Sequence, residues 1–397
     1  MALKLLCQSL LVLGALGSVL LPPRADQCPA LPANYSPKPN PKLPDPFLQL
    51  DGTRITKKDE WTCQRDYLSQ LIQKYELGDY PGPPESVTAS LSGSTLSITV
   101  RDKGKSISFS VSIRAPSGAG PFPAIIAYGG PSIPIPSGIA TIVFNNDEMA
   151  QQINTGSRGK GKFYDLYGSG ATAGAMLAWA WGVDRVIDAL ERTPAAKIDT
   201  RRLGVTGCSR NGKGALVAGA FVERVALTLP QESGSGGAAC WRLSDEMKRR
   251  GTNVQTASQI ITENVWLSRS FERFANNNVP GLPIDHHELA ALVAPRALLV
   301  IENTSQVWLG NMATYGCMKT AHKVWEALGV PENMGFTQTG DHSHCQWSSS
   351  QSAELTAFID KFLRGTGTAN TIIIKTDNPN LGFVDSDWVD WSVPALA

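Results

Sequence analysis

Short apolar runs alternate with longer helix-like segments through most of this chain. The apolar runs indicate buried strands, and they lie at 124–128, 202–206, 226–230, 297–301 and 334–338. Helix-like segments fill the gaps between them, at 173–191, 215–223, 288–293, 321–328 and 352–363. Because a parallel sheet buries both of its faces, this alternation predicts an α/β fold with helices covering a largely parallel sheet.

An antiparallel hairpin is predicted before the parallel part of the sheet. Residues 87–100 and 105–114 alternate apolar and polar side chains on either side of the turn Asp102-Lys103-Gly104. Residues 22–46 are rich in proline and predict an irregular arm on the surface. No internal repeat or shift in composition divides the remainder, so we expect one domain over residues 26–397.

The segment around Ser209 gives the clearest indication of chemistry. An apolar run ending at Val205 leads into Gly207-Cys208-Ser209, and a helix-like stretch begins at Ala215. This strand–turn–helix pattern is typical of a nucleophile elbow, in which a sharp turn lifts the serine Oγ clear of the sheet. The spacing departs from Gly-x-Ser-x-Gly, since Asn211 replaces the second glycine and Gly212 follows it. A loop that simply begins a helix is the alternative interpretation.

A serine nucleophile needs a histidine base, and the sequence offers five. His344 follows the last predicted strand, where a base-bearing loop is expected, and His342 is close enough to compete. His286 and His287 precede a helix and favour capping or packing roles. His322 lies inside a helical pattern, so we expect it to be structural.

Two glutamates are candidates for the acid that orients the base. Glu232 follows the strand after the elbow, and Glu302 follows the next strand, where this fold more often carries its acid. Sequence order permits both, so the choice stays open. For the oxyanion, the backbone N–H of Arg210 is the first expected donor, and the turn Tyr128-Gly129-Gly130 is a candidate for the second.

The first 25 or so residues predict a secretory signal peptide. Lys4 precedes an apolar stretch at 5–21, polar and proline-rich sequence follows, and Ala25 is a candidate cleavage position. We therefore expect secretion. The formal net charge is +1 with no basic block, which argues against nucleic-acid and anionic-membrane partners. Sequons at Asn34 and Asn303 are candidate glycosylation sites in a secreted chain.

Export also bears on the cysteines. Apart from Cys7 in the predicted signal peptide, six remain, an even set that favours three disulfides. If Ser209 and His344 meet, their neighbours Cys208 and Cys345 come within disulfide range, with Cα atoms roughly 4.4–6.8 Å apart. The same argument weakens the alternative of a metal site at His342, His344 and Cys345, so no metal is expected.

Several segments together resemble the fungal glucuronoyl esterases, a carbohydrate esterase family. The resemblance covers nearly the whole mature chain. The segments that carry it are Gly207 to Gly214, Gln231 to Gly234, Ala239 to Arg242, Asn253 to Thr256, Asp285 to His287, Ala294 to Arg296, Trp308 to Gly310, Tyr315 to Cys317 and His342 to Cys345.

The resemblance implies a secreted α/β-hydrolase, with a three-layer sandwich around a mostly parallel sheet. We expect it to be a monomer. It implies cleavage of esters between lignin alcohols and 4-O-methyl-D-glucuronoyl groups of glucuronoxylan. The partners would be glucuronoxylan and lignin–carbohydrate esters, with no organic cofactor and no metal. An esterase that deacetylates xylan is the nearest alternative. A catalytically silent polysaccharide-binding protein with the same fold is the second.

The resemblance also assigns roles to individual residues. It makes Ser209 the nucleophile, His344 the base and Glu232 the acid, and it gives Arg210 a part in stabilising the oxyanion. It places four residues around the sugar, namely Lys213, Gln255, Glu263 and Trp308. The disulfides that it implies are Cys28–Cys63, Cys208–Cys345 and Cys240–Cys317.

Overall fold

The computed structural model describes residues 28–397, so the predicted signal peptide lies outside the described residues. In this part of the chain ten strands form one sheet, in the order β1-β2-β3-β5-β4-β6-β7-β8-β9-β10. The strands are β1 Ser86–Ser92, β2 Thr95–Asp102, β3 Lys105–Arg114, β4 Phe122–Tyr128, β5 Ala140–Phe144, β6 Ile198–Cys208, β7 Leu227–Gln231, β8 Ala297–Asn303, β9 Met334–Thr339 and β10 Ile373–Thr376.

Residues 28–397 contain twelve α-helices, and seven of these helices have a length of eight residues or fewer. In chain order they are α1 Trp61–Ile72, α2 Asn146–Met149, α3 Lys162–Tyr167, α4 Ala175–Glu191, α5 Arg210–Phe221, α6 Trp241–Arg249, α7 Ala257–Glu263, α8 Glu272–Ala275, α9 His286–Ala291, α10 Asn311–Leu328, α11 Ser352–Ile359 and α12 Asp385–Trp388. None of them combines the length and the hydropathy that a membrane-spanning helix requires.

Strand direction follows the hydrophobic pattern. β1, β2 and β3 are antiparallel, and Asp102 pairs with Lys105 across the predicted turn. In the rest of the sheet, which runs in the order β5-β4-β6-β7-β8-β9-β10, every pair of neighbouring strands is parallel. Every residue of β7 and of β8 is buried, as expected for central parallel strands. The prediction of a mostly parallel sheet with an N-terminal antiparallel hairpin is therefore confirmed, although the predicted strand at 87–100 is divided into the two strands β1 and β2.

Helices cover both faces of the sheet and make three layers. Successive residues of a strand point to opposite faces. In β8, Leu298 and Val300 join the larger hydrophobic core, whereas Leu299 and Ile301 join a second core. Side chains of α4, α5 and α10 fill the larger core, and α11 closes the second with Phe358 and its neighbours. The carboxyl ends of the central strands are left free to carry loops, which is where this class of sheet places its sites.

Three disulfides join distant parts of the chain. Cys28 is bonded to Cys63, and Cys240 is bonded to Cys317. Cys208 is bonded to Cys345 with 5.7 Å between the Cα atoms, across a sequence separation of 137. All three pairings are those that the family resemblance implies. The third fastens the end of β6 to the loop that carries His344.

The histidines outside that loop have structural contacts, in line with the sequence prediction. His286 is fully buried, and its Nε2 lies 2.6 Å from Glu76 Oε1. Burial is the largest single effect and works against its charge, but Glu76, the carbonyl of Gly237 and Asp285 together outweigh burial and hold the pKa of His286 above its usual value. His287 contacts the carbonyl of Pro44, and His322 contacts the carbonyl of Pro331.

Candidate active site

A single residue, Ser209, separates strand β6 from helix α5. Its backbone has φ 59° and ψ −125°, a conformation that residues with a side chain seldom adopt. The turn is fixed on both sides, because the N–H of Ser209 donates to the carbonyl of Gln231 at 3.0 Å and its carbonyl accepts from the N–H of Lys213 at 3.0 Å. The strand–turn–helix geometry is that of a nucleophile elbow.

Two glycines make this turn sterically possible. A Cβ added at Gly207 would lie 2.4 Å from the carbonyl oxygen of Asn211, and one at Gly212 would lie 2.5 Å from that of Gln231. Both distances are far below any contact that carbon and oxygen tolerate. The departure from Gly-x-Ser-x-Gly is thereby explained, since the close approach to the neighbouring strand falls at Gly212, one position later.

Asn211, in the place of the second glycine, ties the elbow to its surroundings. Its Nδ2 donates to the carbonyl of Tyr128 at the end of β4, over 3.2 Å. Its Oδ1 accepts from Asn146 Nδ2 at 3.0 Å and from Gln152 Nε2 at 3.4 Å. A polar side chain here therefore joins the nucleophile turn to two neighbouring segments.

His344 is oriented by Glu232. Glu232 Oε2 accepts from Nδ1 of His344 at 2.8 Å and from the backbone N–H of Cys345 at 3.0 Å. The Glu232 side chain is 1% exposed, whereas that of His344 is 27% exposed. Because the carboxylate accepts the proton on Nδ1, the lone pair of the neutral imidazole lies on Nε2, and this nitrogen has no hydrogen-bond partner in residues 28–397.

The imidazole also lies against the disulfide beside the elbow. A ring nitrogen of His344 lies within 4.8 Å of the sulfurs of Cys208 and Cys345. The two sulfurs are bonded to each other, so they are not thiolate ligands for a metal. Nε2 does not bond to Ser209 Oγ in this conformation, and catalytic hydrogen bonds of free enzymes often tighten only in the substrate complex.

His342, the competing histidine, lies on the other side of Glu232. Its Nε2 is 3.3 Å from Glu232 Oε1, and its Nδ1 is 2.9 Å from the carbonyl oxygen of Gly340. Both of its ring nitrogens are thus engaged, and its side chain is only 7% exposed. Of the two loop histidines, His344 alone keeps a ring nitrogen free for a base.

Glu302, the other candidate acid, makes no hydrogen bond or ion pair with any of the five histidines. Its Oε1 accepts from the N–H and Oγ of Ser233, at 2.9 and 3.1 Å, and from the N–H of Gly234 at 3.3 Å. Burial and, to a smaller extent, the nearby charge of Glu232 raise the pKa of Glu302 to about 7, against the opposite effect of its hydrogen bonds with Ser233 and Gly234. The geometry therefore favours Glu232 as the acid and leaves Glu302 with a different role.

Asn303, which follows Glu302, was expected only as a sequon. It is fully buried, and its Nδ2 lies 3.4 Å from Glu232 Oε2 and 3.1 Å from the carbonyl oxygen of His342. A glycan on this nitrogen would displace both contacts, so the fold argues against Asn303 as an acceptor. The sequon at Asn34 is exposed. Sequence reasoning missed the role of Asn303 beside Glu232, although its position at a strand end after Glu302 could have suggested one.

Lys213, one of the expected sugar-binding residues, lies in α5 just after the elbow. Lys213 is 3% exposed, and its Nζ donates to the carbonyl of Ser233 at 2.5 Å and lies 5.6 Å from the ring centre of Trp266. Burial lowers the pKa of Lys213 to about 8, although Glu302 and Glu263 act in the opposite direction. Trp266 was not expected at this site, because nothing in its local sequence distinguishes it from a core tryptophan.

The other three residues are linked to this group. Gln255 Nε2 donates to Glu263 Oε2 at 3.1 Å, and its Oε1 has no partner in the described chain. The carbonyl of Trp308 accepts from the N–H of Gln255 at 3.1 Å. The indole of Trp308 packs edge-on against the His344 ring, with 4.8 Å between centroids. The chain thus connects a polar amide and a carboxylate to Trp308, whose indole contacts the candidate base.

Of the two expected oxyanion donors, only the N–H of Arg210 is free. Arg210 is the first residue of α5 and is exposed, so its N–H lies among the unpaired donors of a helix N-terminus. Within residues 28–397 its guanidinium makes no hydrogen bond. The N–H of Gly129 instead donates to the carbonyl of Phe144 at 2.9 Å, which removes it from the free donors of the glycine turn.

Most of this chain is similar in sequence to known proteins. Residues 98–329 match the profile of the family described as glucuronyl esterase, fungi. A 4-O-methyl-glucuronoyl methylesterase of Hypocrea jecorina is 56% identical over 371 residues, which are 93% of this chain and 79% of that protein. One from Thermothelomyces thermophilus is 52% identical over 401 residues, 99% of each chain.

Solved structures of glucuronoyl esterases are also similar to this chain. The glucuronoyl esterase catalytic domain of Hypocrea jecorina has a TM-score of 0.89 and 56% identity, covering 92% of this chain and 100% of that one. A mutant glucuronoyl esterase from Sporotrichum thermophile, solved with methyl 4-O-methyl-β-D-glucopyranuronate, also has a TM-score of 0.89. Its identity is 54%, and the match covers 94% of this chain and 100% of that one.

Proposed function

This chain belongs to the fungal glucuronoyl esterases, and we propose that it hydrolyses 4-O-methyl-D-glucuronoyl esters with Ser209 as the nucleophile. As a member of that family it is a carboxylic ester hydrolase. Its relatives are named glucuronoyl methylesterases, which supports the same activity here. The natural esters that we propose join these uronoyl groups of glucuronoxylan to lignin alcohols.

The observation that carries this proposal is the pair formed by His344 and Glu232. Glu232 holds Nδ1 of His344 at 2.8 Å, and Nε2 is left without a partner. The disulfide next to His344 fastens its loop to the residue before Ser209. Acyl transfer through a serine requires an oriented imidazole with a free nitrogen near the nucleophile, and the disulfide holds this imidazole beside the elbow.

The reaction that we propose has two steps. Ser209 Oγ attacks the uronoyl carbonyl carbon while its proton passes to Nε2 of His344, and Glu232 stabilises the resulting imidazolium. The N–H of Arg210 and its free guanidinium face the negative charge that develops on the carbonyl oxygen. The intermediate collapses, the alcohol leaves with the proton from His344, and a glucuronoyl ester of Ser209 remains.

Water completes the cycle by the reverse roles. His344 takes a proton from the water as its oxygen attacks the acyl carbon, and it then returns a proton to Ser209 Oγ. The free uronic acid is released. No cofactor takes part in this scheme, since the two protons and the electron pairs stay within the ester, the water and the named side chains.

The sugar is held, in this proposal, by Lys213, Gln255, Glu263 and Trp308. Their arrangement beside His344 supports the role, because ammonium and amide donors, a carboxylate acceptor and an indole suit a polyhydroxylated ring. The relative solved with methyl 4-O-methyl-β-D-glucopyranuronate supports a uronate ester as the ligand class. We further propose secretion of the mature chain, a single catalytic domain over residues 26–397 and a monomeric enzyme.

Substrate preference tests the proposed function. We expect purified mature protein to hydrolyse methyl 4-O-methyl-D-glucuronate with a kcat/KM at least about 100-fold above that for 4-nitrophenyl acetate, because a site built to bind the sugar's hydroxyls discriminates strongly. Rapid acetate hydrolysis without glucuronate turnover would instead indicate deacetylation. Absence of both, together with a Ser209 that resists a serine-directed phosphonate, would indicate a silent binding protein.

Lys213 gives a prediction with a pH dependence. We expect Lys213→Met to raise KM for the methyl glucuronate ester by about 10-fold or more with a smaller change in kcat, since it removes charge-assisted hydrogen bonds in the ground state. Burial lowers the pKa of Lys213 to about 8, so the side chain is a charged ammonium below this pH and a neutral amine above it. In wild type, KM should therefore rise as the pH passes upward through 8.

Two variants control this prediction. Lys213→Arg keeps its charge throughout the range and should show a flatter KM profile above pH 8 than wild type. Lys248→Met removes an exposed lysine on α6 and should leave both constants unchanged. An unchanged KM in Lys213→Met would exclude Lys213 from sugar binding.

A further inference from the structure

The turn formed by Glu232, Ser233 and Gly234 carries three parts of the candidate site. The side chain of Glu232 orients His344, and the carbonyl of Ser233 accepts from Lys213 Nζ. Gly234 packs so closely on Leu309, the neighbour of Trp308, that an added Cβ would lie 2.8 Å from Leu309 Cδ2. A displacement of this turn would therefore move the acid and the sugar-binding lysine together.

One buried carboxylate, that of Glu302, anchors this turn through hydrogen bonds. Glu302 is 1% exposed, and its Oε1 receives three hydrogen bonds, two from Ser233 and one from Gly234. Its own backbone is fixed in the parallel pairing of β8 with β9, where it lies opposite Gln338. Its carbonyl also accepts from Gln351 Nε2 at 3.1 Å. Glu302 is thus a rigid anchor in the centre of the sheet.

We propose that Glu302 is a positioning residue, which sets both the acid Glu232 and the sugar-binding Lys213 by anchoring the turn of Glu232, Ser233 and Gly234. The inference rests on the proposed function, since it explains how that site is kept in register. Glu302 is not itself the acid, because none of its hydrogen-bond partners is an imidazole. It acts through the backbone of the turn.

The conformation of Glu232 explains why an anchor is needed. Its φ of 45° lies in the left-handed region, which a residue with a side chain keeps only when its surroundings enforce it. The N–H of Glu232 donates to the carbonyl of Ile301 at 2.7 Å, and the next two N–H groups donate to Glu302. With these two bonds broken, the turn is free to relax and Glu232 to leave His344.

Three substitutions at Glu302 separate position from charge. Glu302→Gln keeps an oxygen at the place of Oε1 and should retain kcat within a few-fold. Glu302→Asp keeps the charge but is one methylene shorter, so it should lower kcat by about 10-fold or more. Glu302→Leu removes the acceptor and should lower kcat by about 100-fold and raise KM, since displacements near 1 Å have effects of that size.

Glu288 supplies a matched control. It is buried in helix α9, burial raises its pKa to about 8, and its Oε2 accepts from the N–H of Asp285 at 2.9 Å. Glu288→Gln and Glu288→Leu should shift the thermal unfolding midpoint without changing kcat or KM of the folded fraction, as titrated with a serine-directed phosphonate. If the Glu288 and Glu302 variants had equal effects on kcat and KM, Glu302 would contribute only to the general stability of the fold.

A spectroscopic measurement makes the test independent of turnover. The Nδ1–H of His344, bound to a carboxylate, gives a downfield proton resonance, and amide exchange at Ser233 and Gly234 reports the turn directly. We expect wild type and Glu302→Gln to share the resonance and slow exchange, and Glu302→Asp to show faster exchange. Identical spectra in wild type and Glu302→Asp, or greater damage from Gln than from Asp, would overturn the proposal. Missing ester turnover in wild type would refute only the proposed function.

Discussion

Ser209→Ala is expected to lower kcat for methyl 4-O-methyl-D-glucuronate by roughly 10⁴-fold or more, because it removes the atom that forms the acyl intermediate. Alanine adds no bulk at the elbow, and the backbone hydrogen bonds on both sides of the turn do not involve Oγ. The thermal unfolding midpoint should therefore stay close to that of wild type. Initial rates at saturating ester, with circular dichroism for the fold, measure both effects.

A serine far from the elbow controls this result. Ser69→Ala on helix α1 should leave kcat and phosphonate labelling as they are in wild type. Wild type should incorporate one phosphonate on Ser209, and Ser209→Ala should incorporate none. An alanine variant that keeps wild-type turnover would exclude the serine mechanism, whatever the activity of the family.

Glu232→Gln is expected to lower kcat by about 10³–10⁴-fold while the protein stays folded. The amide is nearly the same size as the carboxylate, but it no longer stabilises the imidazolium. It can also donate to Nδ1 of His344, which favours the wrong tautomer. The loss should appear in kcat and kcat/KM equally, because the interaction with the charged imidazole develops in the transition state.

Comparison with Glu302→Gln decides between the two glutamates. The Glu302 variant keeps its acceptor oxygen and should remain within a few-fold of wild type, so the two amide variants should differ by at least about 100-fold. A reversed order, with a large loss at Glu302 and a small loss at Glu232, would transfer the acid role to Glu302. The same assay under the same conditions serves both.

The fold was predictable where the hydrophobic pattern was long and local. The central strands and helices α4 and α5 follow from apolar runs and helical spacing. β10 was missed because its four residues carry little periodicity and none of them is buried. β5 was also missed, although it is no shorter than β7, which was predicted. Helix α6 was missed for another reason: its first N–H groups are capped by Asp285, at 2.7 Å from the N–H of Trp241, and a cap 44 positions away leaves no local sign.

The residues of the candidate site also differ in how far the sequence alone could predict them. Ser209 and His344 were predicted from short segments, since an elbow and a loop after the last strand have recognisable contexts. Glu232 and Glu302 could not be separated, because each follows one of two adjacent parallel strands and sequence order permits both. What distinguishes them is the positive φ of Glu232, which turns its side chain towards His344, and a backbone angle of this kind is set by tertiary contacts.

The bond between Cys208 and Cys345 makes the place of synthesis matter for anyone producing this enzyme. A cytosol rich in glutathione disfavours that bond, which joins two positions 137 apart in sequence, and the proposed nucleophile and base would then be held together only by non-covalent contacts. Recombinant hosts that export the chain into an oxidising compartment suit it better. Specific activity should accordingly track the fraction of molecules in which these two thiols have been oxidised.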